Sequence, residues 1–496
     1  MESELLRRAR EYERERLPQV PEALLPAFHL TGGVGWINDP NGFSVYRGEY
    51  HLFFQYHPYG TYWSSMHWGH AKTKDFIRWE RLPCALAPDE EYDGYGCFSG
   101  SAVELPDGRQ LLMYTGVRRE RRGGGEETEY QTQCLAFGDG VDYEKYAANP
   151  VIDAGLLPPG GSARDFRDPK LWREDGRYHA VIGNRCPDGT GAILLYESEN
   201  ALRWQYRGTL AASAERRGRM WECPDFFPLD GQDVLLTSPQ EMRGCEPEFI
   251  DGNTTLCLIG RFDRENTRLE TEHEQTIDYG LDFYAPQTLL TPDGRRVMIA
   301  WMQFWDSVDW HPPELPFFGQ MTLPRELRVR DGRLYQTPVR ELEKYRSGKR
   351  EYRGITVRGE AELDGVRGRC VDMTVSVRPG TEGALDAFSI HVAADGSFDT
   401  EIRYIPARHK LLVDRSRSGF PPHIRSTREL SAGGGGGAVT LRVILDRWSM
   451  ELFINGGERA ASFTLYTPQE ADGIRFRADG TARIDVEKYD LEIGYE

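Results

Sequence analysis

Cysteine is scarce in this chain, eight in 496 residues, and none of the eight forms a CxxC pair or stands in a His-rich run with metal-ligand spacing. Cys84, Cys97, Cys134, Cys186, Cys223, Cys245, Cys257 and Cys370 therefore read as free, mostly buried thiols. Long apolar runs are missing too. No stretch approaches the roughly 20 apolar residues that a spanning helix needs, and the first 20 residues, MESELLRRAREYERERLPQV, are charged throughout where a signal sequence would carry an apolar core. A cytoplasmic location is expected. Positive charge is short as well: 61 Lys and Arg stand against 78 Asp and Glu, and the net charge of -17 opposes broad attraction to nucleic acid or anionic lipid. The expected partner is small or neutral, with no nucleic acid and no membrane involved.

What is present is ordinary for a folded protein, with 28% charged and 39% hydrophobic residues and glycine and proline spread along the chain as turn punctuation. The length is too great for one core, so two domains are expected. Residues 2–16 suit a short amphipathic helix with Leu5, Leu6, Ala9 and Tyr12 near one face, ended by Pro18; it reads as an appendage. From Gly32 onward, short apolar runs alternate with Gly, Pro and Asp, the texture of many short strands. Five times a glycine turn introduces an apolar strand, at Gly48, Gly108, Gly176, Gly231 and Gly294, with spacings of 60, 68, 55 and 63 residues. That period suits four-stranded blades. After Pro338, VRELEKYRSGKR reads as a helical connector. Beyond it, VTLRVILDRWSMELFING gives paired strand signals in which Asp446-Arg447 could close a hairpin, and Gly433 to Gly437 reads as a loop between strands. The expected architecture is all-β: an extension over 1–27, a five-bladed β-propeller over 28–337, a linker over 338–352 and a C-terminal β-sandwich over 353–496.

Counting back from the repeat glycines, Asp39 lies nine residues before Gly48, Asp168 eight before Gly176 and Glu222 nine before Gly231. The spacing predicts three carboxylates at equivalent places on the first strand of a blade, the strand that lines a propeller's channel. The same count reaches Ser99 in the second blade and Ala285, beside Tyr284, in the fifth. Carboxylates converging among aromatics are suited to glycosidic bond cleavage, in which one attacks the anomeric carbon and another protonates the leaving oxygen and then activates water.

The motifs Trp36-Ile37-Asn38-Asp39-Pro40-Asn41-Gly42, Phe54-Gln55-Tyr56-His57-Pro58, Trp68-Gly69-His70-Ala71, Phe98-Ser99-Gly100-Ser101, Phe166-Arg167-Asp168-Pro169-Lys170, Trp221-Glu222-Cys223-Pro224-Asp225 and Asp282-Phe283-Tyr284-Ala285 closely resemble glycoside hydrolase family 32. The resemblance runs from about Phe28 to Leu327, and Glu451-Leu452-Phe453-Ile454-Asn455 looks like the family's C-terminal sandwich. It implies a retaining β-fructofuranosidase acting on sucrose, sucrose 6-phosphate or short fructo-oligosaccharides, without metal or organic cofactor. A fructosyltransferase and an exo-acting inulinase or levanase are the alternatives within the family; a fructan-binding protein with a decayed site conflicts with the presence of all three carboxylates. By the same resemblance, Asp39 is the expected nucleophile, Glu222 the acid/base and Asp168 the group that stabilises the transition state. Arg167 is expected to hold one of the carboxylates. Asn38, Gln55 and Ser99 offer hydrogen bonds to the fructose ring, and Trp63, Phe98, Tyr284 and Trp305 offer apolar walls. Cys223 either sets the polarity around Glu222 or fills space. A phosphate site would need clustered cations near the leaving group. Arg118, Arg119, Arg121 and Arg122 form such a cluster, but Glu120, Glu126 and Glu127 accompany them and a solvated hairpin tip is the expectation.

Overall fold

The computed structural model describes residues 2–121, 127–213, 217–380, 384–433 and 437–494. Five antiparallel four-stranded units follow one another in chain order. Blade I spans Gly35–Leu86, blade II Gly96–Lys145, blade III Phe166–Ala212, blade IV Met220–Gln275 and blade V Tyr284–Pro338. Their first strands (Gly35–Tyr46, Gly96–Glu104, Phe166–Glu174, Met220–Leu229 and Tyr284–Leu290) pack against one another around a closed ring, blade V returning to blade I. The ring is also stitched by hydrogen bonds, because Phe317–Phe318, an excursion within blade V, pairs in parallel with Gly35 and Trp36 of blade I. The five repeat glycines sit in the turns between first and second strands, with φ between 80° and 83°. A side chain there would meet nothing within 4 Å, so left-handed backbone, not lack of space, is what calls for glycine.

The remaining chain forms one ten-stranded antiparallel assembly that folds over itself as a sandwich. Its organiser is the 19-residue strand Gly473–Leu491. The first half of that strand pairs with Leu385–Ala394, the second half with Val371–Pro379, and its other edge with Arg346–Ala361. Apolar residues enclosed by the fold, among them Val375, Phe388, Val413, Leu452 and Phe476, make a core separate from those of the blades. The hairpin expected at Asp446-Arg447 forms, with Asp446 paired to Ser449 and Arg447-Trp448 as the turn. The stretch after Pro338 is helical only as a 3-10 segment, Arg340–Tyr345; Arg346 already begins a strand, so much of the expected connector belongs to the sandwich. Of the glycine run, 434–436 lie outside the described residues.

The N-terminal helix is Glu4–Arg16, capped by the Ser3 hydroxyl, which accepts from the Leu6 amide. It is no appendage. Leu6 and Ala9 enter the blade I core, and the buried Glu13 carboxylate accepts from the Cys84 amide at 2.9 Å. Leu5, expected on the packed face, points outward instead. Beyond the helix, the Ala27, Phe28 and His29 amides all donate to Asp446 of the sandwich, so this segment joins the two parts. All eight cysteines are free. Among the described residues, no helix is long and apolar enough to cross a membrane.

Candidate active site

Every blade's first strand carries a β-bulge at the same level. The register with the second strand breaks around Asn38-Asp39-Pro40, Phe98-Ser99-Gly100, Arg167-Asp168-Pro169, Glu222-Cys223-Pro224 and Tyr284-Ala285-Pro286. Proline suits a position that donates no ladder bond, and a bulge re-aims the side chains beside it. Asp168, Cys223 and Ala285 there adopt φ of 67°, 49° and 51°, left-handed values that cost non-glycine residues about 1–3 kcal/mol each. Each is held by the preceding blade: the Asp168 amide donates to the Thr115 hydroxyl (2.9 Å), Cys223 to the Asp168 carboxylate (3.0 Å) and Ala285 to the Ser238 hydroxyl (3.1 Å).

The side-chain contacts correct the equivalence expected from counting. Asp39, Ser99, Cys223 and Asp168 touch one another and form one tier, the residue before the bulge proline in blades I, III and IV, whereas Glu222 lies one residue before Cys223 and meets Arg167 and Tyr284. The count misleads because blade I has a second bulge, between Asn41 and Ser44, which lengthens the path to Gly48 by one residue. The carboxylates still converge, but on two levels.

On the inner tier, Asp39 Oδ2 accepts from Ser99 Oγ at 2.7 Å and Oδ1 from Asn38 Nδ2 at 3.1 Å; Trp36 Nε1 fixes Asn38 in turn at 2.8 Å. The Cys223 thiol stands 3.3 Å from Asp39 Oδ2 and 3.5 Å from Asp168 Oδ2, so it bridges the two aspartates and does not face Glu222. On the outer tier, Arg167 Nε donates to Glu222 Oε1 at 2.9 Å and the Tyr284 hydroxyl to Oε2 at 2.6 Å. Below both tiers a third row closes the channel: Lys170 pairs with Asp225 at 3.1 Å, Gln287 donates to the Gly100 carbonyl and Ser101 to the Pro169 carbonyl. The result is a cavity of about 270 Å³ that is blind at its inner end.

All eleven residues singled out from the sequence line this one cavity: Asn38, Asp39, Gln55, Trp63, Phe98, Ser99, Arg167, Asp168, Glu222, Tyr284 and Trp305. Gln55, however, spends its amide NH2 on the Cys97 carbonyl at 2.9 Å. Glu129, Gln131, Arg164, Asp165 and Gln240 also line it and were not foreseen. Arg164 and Asp165 directly precede the Phe166-Arg167-Asp168 motif, a usable signal, whereas Gln131, on the third strand of blade II, and Gln240, at the end of the second strand of blade IV, carry no local mark. The expected hairpin tip is ion-paired where it is described, Arg119 with Glu129 at 2.5 Å and Arg121 with Glu127 at 2.8 Å; Arg122 and Glu126 lie outside the described residues. A larger cavity of about 490 Å³ is lined by blade I, residues 26–30 and the tail residues Ile493 and Gly494; of the carboxylates on its wall, Glu49 and Glu80 are paired with Lys72 and Asp75 accepts from the Tyr345 hydroxyl.

Burial and the charge of Glu222 raise the pKa of Asp39, against hydrogen bonds from Ser99 and Asn38. The same two causes lift Asp168 to about 7, opposed by Arg167. Burial keeps the Cys223 thiol and the Tyr284 phenol protonated well above their ordinary ranges, so both act as neutral donors. Three acids in one buried pocket repel one another, and the cluster retains a proton near neutral pH that isolated carboxyls would release. Among the described residues, no group of three or more His, Cys, Asp or Glu side chains is arranged to hold a metal ion.

Comparison with known proteins agrees with this geometry. A family profile described as "Glycosyl hydrolases family 32 N-terminal domain" matches residues 29–338, and one described as "Glycosyl hydrolases family 32 C terminal" matches 341–492. The chain is 37% identical to a raffinose invertase of Escherichia coli, covering 92% of this chain and 94% of that protein. It is 35% identical to an Escherichia coli sucrose-6-phosphate hydrolase, covering 92% of each. Among solved structures, a Bombyx mori GH32 beta-fructofuranosidase superposes with a TM-score of 0.83 at 30% identity, covering 99% of this chain and 98% of the other.

Proposed function

The chain belongs to glycoside hydrolase family 32 and is a hydrolase of sucrose-type substrates; on that premise we propose that the blind cavity takes a terminal β-fructofuranosyl unit and cleaves it with retention. The observation that carries the reading is the split of the acids between two tiers with different donors. Asp39, deep in the pocket and oriented by Asn38 and Ser99, attacks the anomeric carbon C2. As that bond forms, the C2–oxygen bond to the leaving sugar breaks, and Glu222, nearer the mouth, transfers a proton to the departing oxygen. A water entering from the mouth then gives its proton to Glu222 and attacks C2, releasing β-fructose and free Asp39. Arg167 and Tyr284 keep Glu222 in place through both steps. Asp168, whose Oδ2 is fixed by the Cys223 amide, meets the ring on the inner tier and stabilises the oxocarbenium-like transition state.

A cavity closed behind its inner tier admits only a chain end, which favours sucrose, sucrose 6-phosphate and short fructo-oligosaccharides over cleavage inside a polymer. Eight free thiols suit a reducing, cytoplasmic setting. Proton NMR of the first product tests the reading: β-fructofuranose is expected, and α-fructofuranose would overturn it. Release of equal glucose and fructose from concentrated sucrose is expected of a hydrolase; a large excess of glucose would assign a fructosyltransferase.

A further inference from the structure

The mouth of the cavity is not electrically uniform. Arg164 and Asp165 lie just upstream of the blade III first strand, whose next residues form the outer tier, the inner tier and the floor in that order. They therefore stand at the mouth, where the leaving sugar lies once a fructosyl unit fills the blind end. Each carboxylate in this region already has a cation. Glu129 accepts from Arg119 Nε at 2.8 Å. Asp165 is 2.9 Å from Arg185 and 3.4 Å from Arg167, and Glu222 is 2.9 Å from Arg167. Arg164 differs. Among the described residues it makes no ion pair with a carboxylate, and its guanidinium donates only to the neutral Thr128 hydroxyl, at 3.3 Å, while lining the cavity.

The neighbouring amides are oriented by the same network. Gln131 turns its oxygen to the Phe166 amide (2.9 Å) and to Arg167 (3.2 Å), and Gln240 turns its oxygen to Arg167 (3.4 Å). All of these partners are donors, so both NH2 groups must face away from them, on the wall shared with Arg164. That wall offers donors and one uncompensated positive charge.

We infer that Arg164 is the specificity-determining residue for a phosphorylated leaving sugar, its planar guanidinium taking the phosphate monoester on the aldose half of the substrate. The inference rests on the β-fructosidase reading and adds to it which leaving group the mouth selects. A phosphate monoester carries roughly -1.5 to -2 at neutral pH. A chain with net charge -17 repels such a group unless a local cation is available, and a guanidinium not engaged by a carboxylate is suited to a bidentate contact. The arginines of the neighbouring hairpin among the described residues are engaged: Arg118 with Glu120, Arg119 with Glu129 and Arg121 with Glu127.

The test compares kcat/KM for sucrose and sucrose 6-phosphate in the wild type, Arg164→Gln and Arg164→Lys, each at low salt and with about 0.3 M added NaCl. The wild type is expected to prefer the phosphorylated sugar. Arg164→Gln should lower the ratio of the two kcat/KM values about tenfold or more, mainly through KM, and Arg164→Lys should restore part of it. Added salt should lower the ratio in the wild type and leave it nearly unchanged in Arg164→Gln. An unchanged ratio in Arg164→Gln, or a wild type that prefers sucrose, would overturn the assignment. Release of fructose from neither sugar would instead overturn the underlying reading.

Discussion

His29 sits where the N-terminal segment, blade V and the sandwich meet. Its Nδ1 faces Asp446 Oδ2 at 2.8 Å and its Nε2 faces Glu451 Oε1 at 2.9 Å, with all three side chains essentially unexposed. Glu451 also takes Arg325 of blade V, and Arg325 reaches Asp278 at 2.8 Å. Two carboxylates on one imidazole hold it doubly protonated, and against the cost of burial they raise its pKa from 6.5 to about 9. Because the folded value lies above the unfolded one, the stabilisation is fully present below pH 6.5 and is lost as pH rises through about 9. At about 1.4 kcal/mol per pH unit, the loss amounts to about 3 kcal/mol. Urea unfolding at about pH 6 and about pH 9.5 should show a fall in stability that exceeds, by about that amount, the fall measured for His29→Gln, in which the proton linkage is absent. Titrating groups that do not touch His29 are common to both proteins and cancel in the comparison; Asp446 and Glu451, held low in part by His29, belong to the same linkage. Equal falls in the two proteins would refute the reasoning, and with it the picture of a charged joint between the propeller and the sandwich.

Three further outcomes are expected. Asp168→Asn should lower kcat roughly 10²–10³-fold with a much smaller change in KM, measured on sucrose, because its charge is needed most as positive charge develops on the fructosyl ring; a change confined to KM would contradict the role. In Glu222→Gln, assayed on a fructoside with a good leaving group, the acidic limb of kcat/KM should move to lower pH, since the charge that helps raise Asp39 has been removed and Asp39 stays ionised to lower pH. An upward or absent shift would count against the coupling. Dialysis against EDTA should leave activity intact, and a loss restored only by a divalent ion would reverse the reading of a site served by carboxylates alone.

The parts legible in the sequence were those written locally. Gly48, Gly108, Gly176, Gly231 and Gly294 announce the blades because a tight turn with positive φ demands glycine; the bulges at the Asp-Pro and Cys-Pro steps emerged only with the structure. The side chain that faces the channel was harder to read. Whether Glu222 or Cys223 shares a tier with Asp39 depends on bulge number and turn length, which the spacing to a glycine adds together. Long-range partnerships leave no trace in sequence order. His29 and Asp446 are separated by 417 residues, and Glu13 reaches Cys84 across 71. Both place the N-terminal segment inside the structure, where local composition suggested an appendage. Gln131 and Gln240 entered the mouth for the same reason, as ordinary strand residues whose role comes from the neighbouring blade's Arg167.

The central claim is that Asp39 forms the covalent bond while Glu222 moves the proton and Asp168 only stabilises. Trapping tests it most directly. Glu222→Ala keeps the nucleophile and removes the base needed for hydrolysis, so with a fructoside bearing a good leaving group the fructosyl-enzyme should accumulate. After an acid quench and proteolysis, mass spectrometry should find the added fructosyl mass on the peptide carrying Asp39 and nowhere else. A label on Asp168 would contradict the account.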